Sequence, residues 1–125
     1  MPVFYNERHH PPWEVILDPE VDAWVMALDR SSYKRVLEAI DSLSEFGPAL
    51  GRPLVDRIRG SKFANLKELR IGSLRILFAF DPARDAVLLL AGDKQGEWNN
   101  WYRKAIPIAD QRFEDWLHTR EEERP

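Results

Sequence analysis

The spacing of hydrophobic residues predicts a strand followed by two helices in the first part of the chain. Residues 13–17 alternate with the period of an extended strand. Over residues 19–46 the hydrophobic positions instead recur three and four residues apart, in two successive groups that each form one face of a helix. Asp18-Pro19 is a typical helix start, and Gly47-Pro48 a typical helix end. The predicted apolar faces consist of Val21, Trp24, Val25 and Leu28 in the first helix and Tyr33, Val36, Leu37, Ile40 and Leu43 in the second.

Later in the chain the hydrophobic period changes to two, which predicts strands. Gly72-Ser73 interrupts this pattern as a two-residue connection of the kind that closes a tight hairpin. A helical pattern returns near the C-terminus. The predicted elements of this part are strands over residues 65–71, 74–80 and 86–91 and a helix over about 109–120.

The order of these elements predicts one α+β domain over residues 1–125, with an ordered core from about 13 to 118. We expect a small, twisted, mostly antiparallel sheet packed against two N-terminal helices and a C-terminal helix, with the helices gathered on one side of the sheet. The residues expected in the core are Trp24, Leu37, Ile40, Phe78 and Trp116.

The composition narrows the class of protein. Hydrophobic residues make up 44% and charged residues 31%, which supports a packed core. The absence of cysteine excludes disulfides, a thiol nucleophile and thiolate-bound metals. The histidines (His9, His10 and His118) lack the spacing of metal ligands, so we expect neither a metal nor another cofactor. The longest apolar run is too short to cross a membrane, and the N-terminal residues do not resemble a secretory signal, so we expect a cytoplasmic protein without membrane contact.

Positive charge is concentrated in one segment of an acidic chain. The formal net charge is -3, whereas residues 52–75 alone carry a net charge of +5. Such a segment can bind a polyanion at one site, and Arg57, Arg59 and Lys62 are its candidate RNA contacts. The alternative is a solvated charged face that the acidic helices neutralise.

The predicted hairpin places two arginines side by side. With a two-residue turn at Gly72-Ser73, Arg70 lies directly opposite Arg75 on one face, which we expect to be exposed. Two guanidinium groups held together can clamp a phosphate, although Glu68 on the same face is near enough to neutralise one of them. Because like charges repel, removing one arginine is expected to leave the hairpin no less stable.

Three further residues are candidates for proton transfer or phosphate contact. Lys67 falls on the core side of its strand but near the strand start, from where it could reach out past the edge. Lys94 follows the last strand, and Tyr102 carries a hydroxyl in an aromatic-rich segment. Trp98 in that segment could stack on a base, or could belong to the core.

The run LKELRIGSLRILFAF, followed by an apolar strand and then by GDKxGxWxxWYxxxIPxAD, resembles the phage-derived Gp49-like, HigB-type branch of the RelE/ParE toxin superfamily. The resemblance covers about residues 13–117 and is most specific over 66–110. It implies a small sheet curved against helices and the toxin of a bacterial type II toxin–antitoxin system. RelE-like members are ribosome-dependent endoribonucleases that cut messenger RNA, and the antitoxin in this branch is commonly a helix-turn-helix protein.

The resemblance also implies roles for single residues. Arg75 matches the arginine that acts on the scissile phosphate, and Arg70 and Lys67 match basic positions on the preceding strand. Lys94 matches the basic position after the last strand, and Tyr102 is a counterpart of the terminal tyrosine of RelE. The histidines of the best-known HigB toxins have no match here. The implied reaction uses no metal: the RNA 2′-hydroxyl attacks the adjacent phosphate, the arginines stabilise the developing charge, and Lys67, Lys94 or Tyr102 move protons.

Two other functions stay open at this stage. A ParE-like toxin would inhibit DNA gyrase by binding and would cleave no RNA. A weakly active interaction module would keep its basic groove occupied by an acidic segment of the antitoxin. We expect the antitoxin to rest mainly on the helical pair, because that pair offers more apolar area than the charged face.

Overall fold

The computed structural model describes residues 13–96 and 98–122 and has an α+β fold. Its strands are β1 (Glu14–Leu17), β2 (Val55–Arg57), β3 (Lys67–Ile71), β4 (Leu74–Phe80) and β5 (Asp85–Asp93). Its helices are α1 (Pro19–Met26), α2 (Arg30–Phe46) and α3 (Trp98–Glu122), and a short 3-10 turn (Gly47–Ala49) follows α2.

The five strands form one mixed sheet in the order β1-β5-β4-β3-β2. Strand β1 runs parallel to β5, and every other neighbouring pair is antiparallel. The predicted two-residue hairpin is confirmed, because Ile71 pairs with Leu74. Gly72 in this turn has a φ of 60°, a conformation that glycine adopts without steric cost.

Local sequence signals set the helix boundaries. The Asp18 carboxylate accepts a hydrogen bond from the Glu20 backbone N–H, and α1 then begins at a proline. The Asp29 carboxylate caps α2 through the Ser32 backbone N–H. Gly47 ends α2 with a φ of 55°.

The sheet is covered by helices on both faces, so the expectation that all helices gather on one side is wrong. One face packs against α1 and α2 and forms the first core, which includes Val36, Leu69 and Phe78. The other face packs against α3 and forms the second core, which includes Leu77 and Phe113. The expectation failed because β4 and β5 are apolar on both faces, a pattern typical of strands buried between two layers.

Three further differences separate the structure from the sequence prediction. The short edge strand β2 was not predicted, since a three-residue strand carries no measurable alternation. Helix α3 begins eleven residues earlier than the expected start at 109 and contains Pro107 in its interior. Leu37 is 37% exposed and does not belong to the core, whereas Trp24, Ile40 and Trp116 are partly buried against it. Phe78 is fully buried, as expected.

Strand β5 contains a β-bulge beside the middle of β4. Phe78 pairs with Leu88, but the preceding residue of β4, Leu77, pairs with Leu90. Leu89 is therefore an extra residue in β5. Leu89 and Leu90 both contact the second core beneath α3.

Within residues 13–96 and 98–122, no helix has the length and apolar character needed to cross a membrane. In the same residues, no group of histidine, aspartate and glutamate side chains is arranged to hold a metal ion. His9 and His10 lie outside the described part of the chain.

Candidate active site

The two hairpin arginines lie on the face of the sheet that α3 covers. Arg70 and Arg75 are directly paired across the β3–β4 ladder, as the sequence predicted. Arg75 is only 7% exposed, so the expectation of an open face is wrong at this position. The first turns of α3 cover Arg75, whereas the side chain of Arg70 is 37% exposed.

Glu68 binds both arginines. Its Oε2 atom accepts a hydrogen bond from Nε of Arg70 at 3.0 Å, and its Oε1 atom lies 3.6 Å from Nε of Arg75. Glu68 is only 3% exposed, and burial of a carboxylate is costly unless cations and hydrogen-bond donors surround it. Of the two interpretations of the hairpin, neutralisation by Glu68 therefore describes the structure.

The guanidinium of Arg75 is held by the hairpin backbone as well. Its Nη1 atom donates hydrogen bonds to the carbonyl oxygens of Gly72 at 2.6 Å and Leu74 at 2.9 Å. These bonds fold the side chain back along the turn and fix its plane. The arginine is therefore preorganised, and a bound anion would meet a charge that needs little rearrangement.

Tyr102 joins the network from the first turns of α3. Its hydroxyl donates a hydrogen bond to Oε1 of Glu68 at 2.5 Å and accepts one from Nε of Arg75 at 3.3 Å. Burial and the hydrogen bond to Glu68 raise the pKa of Tyr102 above its ordinary value. The phenol consequently stays protonated at neutral pH.

Lys94 lies beside Tyr102. Its Nζ atom is 5.7 Å from the centroid of the Tyr102 ring, and the residue is 3% exposed. Burial and the positive charge of Arg75 lower the pKa of Lys94, while Glu68 opposes that effect. A lowered pKa increases the fraction of the lysine that is unprotonated, and so able to accept a proton, at a given pH.

The structure separates Lys67 from these residues. Successive residues of a strand point to opposite faces, so Lys67 lies on the face opposite Glu68. Its Nζ atom is 5.5 Å from the centroid of the Phe80 ring, in the layer of the first core. Lys67 pairs with the exposed Arg57 of β2, and the two residues share that face.

The remaining candidate RNA contacts lie apart from Arg75. Lys62 forms an ion pair with Glu114 of α3, twelve residues and about 18 Å along the helix from Tyr102. The hydrogen bond to Glu114 raises the pKa of Lys62. Arg59 is exposed in the loop after β2. The side chain of Trp98 lies outside the described part of the chain.

The cluster of Glu68, Arg75, Lys94 and Tyr102, which we name the Arg75 cluster, holds the groups that a phosphoryl-transfer reaction needs. It contains a fixed cation, a protonated phenol and an amine with a lowered pKa. For Glu68 the sequence predicts only the role of a neutralising charge. The available signal was its position two residues before Arg70, which places it on the same strand face.

Sequence comparisons find related proteins over most of the chain. The family described as phage-derived protein Gp49-like matches residues 23–114. HigB3 of Mycobacterium tuberculosis, named as a toxin, is 58% identical over a 105-residue match that covers 82% of this chain and 92% of HigB3. HigB2 of the same organism, also named as a toxin, is 51% identical over a match that covers 97% of this chain and 69% of HigB2.

Solved structures share the fold at low sequence identity. The RelE of an archaeal RelE–RelB complex from Pyrococcus horikoshii superposes with a TM-score of 0.58 at 22% identity, covering 69% of this chain and 98% of that one. A mutant of the Escherichia coli toxin RelE in the free state has a TM-score of 0.57 at 12% identity, covering 77% of this chain and 96% of that one. These similarities establish a RelE-like fold.

Proposed function

The chain belongs to the phage-derived Gp49-like family and to the HigB-type toxins of the RelE superfamily, and from this membership we propose that it cleaves messenger RNA on the ribosome. It is the toxin of a type II toxin–antitoxin system, and its partner is an antitoxin. We propose further that this antitoxin is a helix-turn-helix protein and that the toxin acts as a single domain in the cytoplasm.

The observation that carries the ribonuclease proposal is the hydrogen-bonded contact of Arg75 with Tyr102, beside Lys94. Arg75 stabilises the negative charge that grows on the phosphate oxygens in the transition state. Lys94, whose pKa is lowered, accepts the proton of the attacking 2′-hydroxyl. Tyr102, whose pKa is raised, retains its proton until it transfers that proton to the departing 5′ oxygen.

The proton and bond balance of this reaction is complete without a metal. The 2′ oxygen forms a bond to phosphorus, and the bond from phosphorus to the 5′ oxygen breaks. The products are a 2′,3′-cyclic phosphate and a 5′-hydroxyl. Lys94 ends protonated and Tyr102 ends as a phenolate, and proton exchange with solvent restores both residues.

The substrate phosphate takes over the charge that Glu68 neutralises in the free protein. Arg75 is buried and paired with Glu68, so the RNA phosphate must displace the Glu68 carboxylate to contact the guanidinium. Binding to the ribosome supplies the orientation and the free energy for this step. We propose that Arg57, Arg59, Lys62, Lys67 and Arg70 bind RNA outside the Arg75 cluster. Trp98 remains a candidate RNA contact on the sequence alone.

The test adds the purified protein to a reconstituted translation reaction and maps the 5′ ends of the messenger. We expect cleavage at defined positions that depends on the ribosome and is lost in Arg75→Lys, which keeps the charge without the planar fork. Arg30→Lys is the matched control, because Arg30 is an exposed arginine at the start of α2.

Other outcomes would reassign the function. An intact messenger together with inhibited supercoiling would indicate a gyrase inhibitor of the ParE kind. An intact messenger, normal supercoiling and tight binding of the antitoxin would indicate an interaction module whose Arg75 stays paired with Glu68. Either result would refute the ribonuclease proposal.

A further inference from the structure

Gly92 of β5 lies directly opposite Arg75 in the β4–β5 ladder. Paired residues of an antiparallel ladder point to the same face, so a side chain at position 92 would project beside Arg75 and toward α3. The indole of Trp101 occupies that space. A Cβ atom added at Gly92 would lie 2.6 Å from Nε1 of Trp101 and 3.1 Å from its Cε2, closer than packed atoms tolerate.

Lack of space, and not backbone conformation, is the reason for glycine here. Gly92 lies within the regular pairing of β5, and its φ is not positive. A non-glycine residue could adopt this backbone without strain. The requirement for glycine therefore comes from the close approach of the Trp101 ring.

Trp101 is followed in the chain by Tyr102, and their rings make an edge-to-face contact with centroids 5.1 Å apart. Both residues belong to the same helical segment of α3, so Trp101 cannot move away from β5 without moving Tyr102. The Tyr102 hydroxyl in turn contacts Glu68 and Arg75. A continuous chain of contacts thus runs from Gly92 to the Arg75 cluster.

We propose that Gly92 is a positioning residue: its lack of a side chain seats Trp101 on β5 and so places the Tyr102 hydroxyl against Glu68 and Arg75. The consequence for RNA cleavage rests on the proposed function. The consequence for the environment of Tyr102 rests on geometry alone.

The test compares Gly92→Ala with Gly51→Ala, the matched control, because a Cβ atom at Gly51 would meet nothing within 4 Å. The readout is the titration of Tyr102, followed by tyrosine NMR signals and assigned by its loss in Tyr102→Phe. The pKa of Tyr102 should move toward the ordinary value of tyrosine in Gly92→Ala and stay unchanged in Gly51→Ala. Cleavage should fall roughly 10- to 100-fold in Gly92→Ala, the cost of a small misplacement of a reacting group.

A second variant covers the case in which Gly92→Ala does not fold. Trp101→Ala removes the seated ring without introducing a clash, and it should shift the Tyr102 titration in the same direction. A folded Gly92→Ala protein whose Tyr102 titrates as in the unmodified chain would overturn the proposal, and so would an unshifted Tyr102 in Trp101→Ala. If the unmodified protein cleaves no messenger, the proposed function fails, while the titrations still decide the role of Gly92.

Discussion

Arg70 and Arg75 are directly paired across the β3–β4 ladder, and one buried carboxylate, that of Glu68, lies between their guanidinium groups. The repulsion expected between like charges in this position is offset, because each arginine meets the same opposite charge. Arg75 is therefore part of a buried ionic network. These contacts predict that removing Arg75 destabilises the hairpin, whereas the sequence alone predicts that it does not.

Arg75→Ala should lower the free energy of unfolding by about 3 kcal/mol, since it leaves a buried carboxylate with fewer partners. The cost is at the lower end of the usual range because Arg70 and Tyr102 still bind Glu68. Urea denaturation measures it. Adding Glu68→Gln to Arg75→Ala should recover part of the loss, since the amide carries no charge. Unchanged stability of Arg75→Ala would contradict the ionic network.

Tyr102→Phe should reduce messenger cleavage by about 100-fold while the ring continues to pack. It should also change the response to alkaline pH. Because the pKa of Tyr102 is raised, the folded protein keeps a proton that the unfolded chain loses above the ordinary pKa of tyrosine, so stability falls as pH rises through that window. Denaturation between pH 9 and 11 should show a shallower decline in Tyr102→Phe than in the control Tyr33→Phe. An equal decline of stability with pH in the two variants would mean that Tyr102 is not the tyrosine with the raised pKa.

Arg120→Ala should destabilise the protein by about 1–3 kcal/mol at neutral pH. Nη2 of Arg120 lies 3.1 Å from Oδ2 of Asp85, whose pKa is raised by burial and by the negative charge of Asp81. Below the folded pKa of Asp85 the carboxyl is protonated and needs no cation. The destabilisation caused by Arg120→Ala should therefore shrink as the pH falls toward the ordinary pKa of aspartate. The exposed Arg103 of the same helix provides the control Arg103→Ala. A cost that does not depend on pH would argue against this ion pair.

Leu77→Ala and Leu37→Ala test the assignment of the second core. Leu77 is fully buried beneath α3, so its truncation should cost about 2–5 kcal/mol. Leu37 is 37% exposed, and its truncation should cost about 1 kcal/mol or less. Thermal or urea unfolding separates the two values. Similar costs would mean that α2 is rotated relative to the structure.

The strand pairing of the hairpin could be predicted from sequence because its signals are local. Alternation over two segments and the Gly72-Ser73 connection determine which residues pair, and hence that Arg70 faces Arg75. Helices α1 and α2 were predictable for the same reason, since caps and apolar spacing lie within each helix.

The cover over Arg75 could not be predicted, because it depends on the start of α3 and on the face that this helix occupies. Pro107 and the many aromatic residues before it give no helical signal, so the sequence does not predict the first turns of α3. The burial of Glu68 could not be predicted for the same reason, since a strand face without a helix above it would remain in solvent. The chemistry of the site is thus a product of tertiary packing, while its residues are visible in the hairpin.

The bulge at Leu89 has a consequence at a distance of three residues. If β5 kept all its residues but lacked the bulge, the pairing set by Phe78 and Leu88 would continue unbroken, and Arg75 would face Ala91 instead of Gly92. The methyl group of an alanine would then stand where the indole ring now rests. The bulge therefore decides whether a hydrogen atom or a methyl group lies next to the arginine. The pairing register of β5 therefore matters to the Arg75 cluster as much as the identity of the residues in that strand.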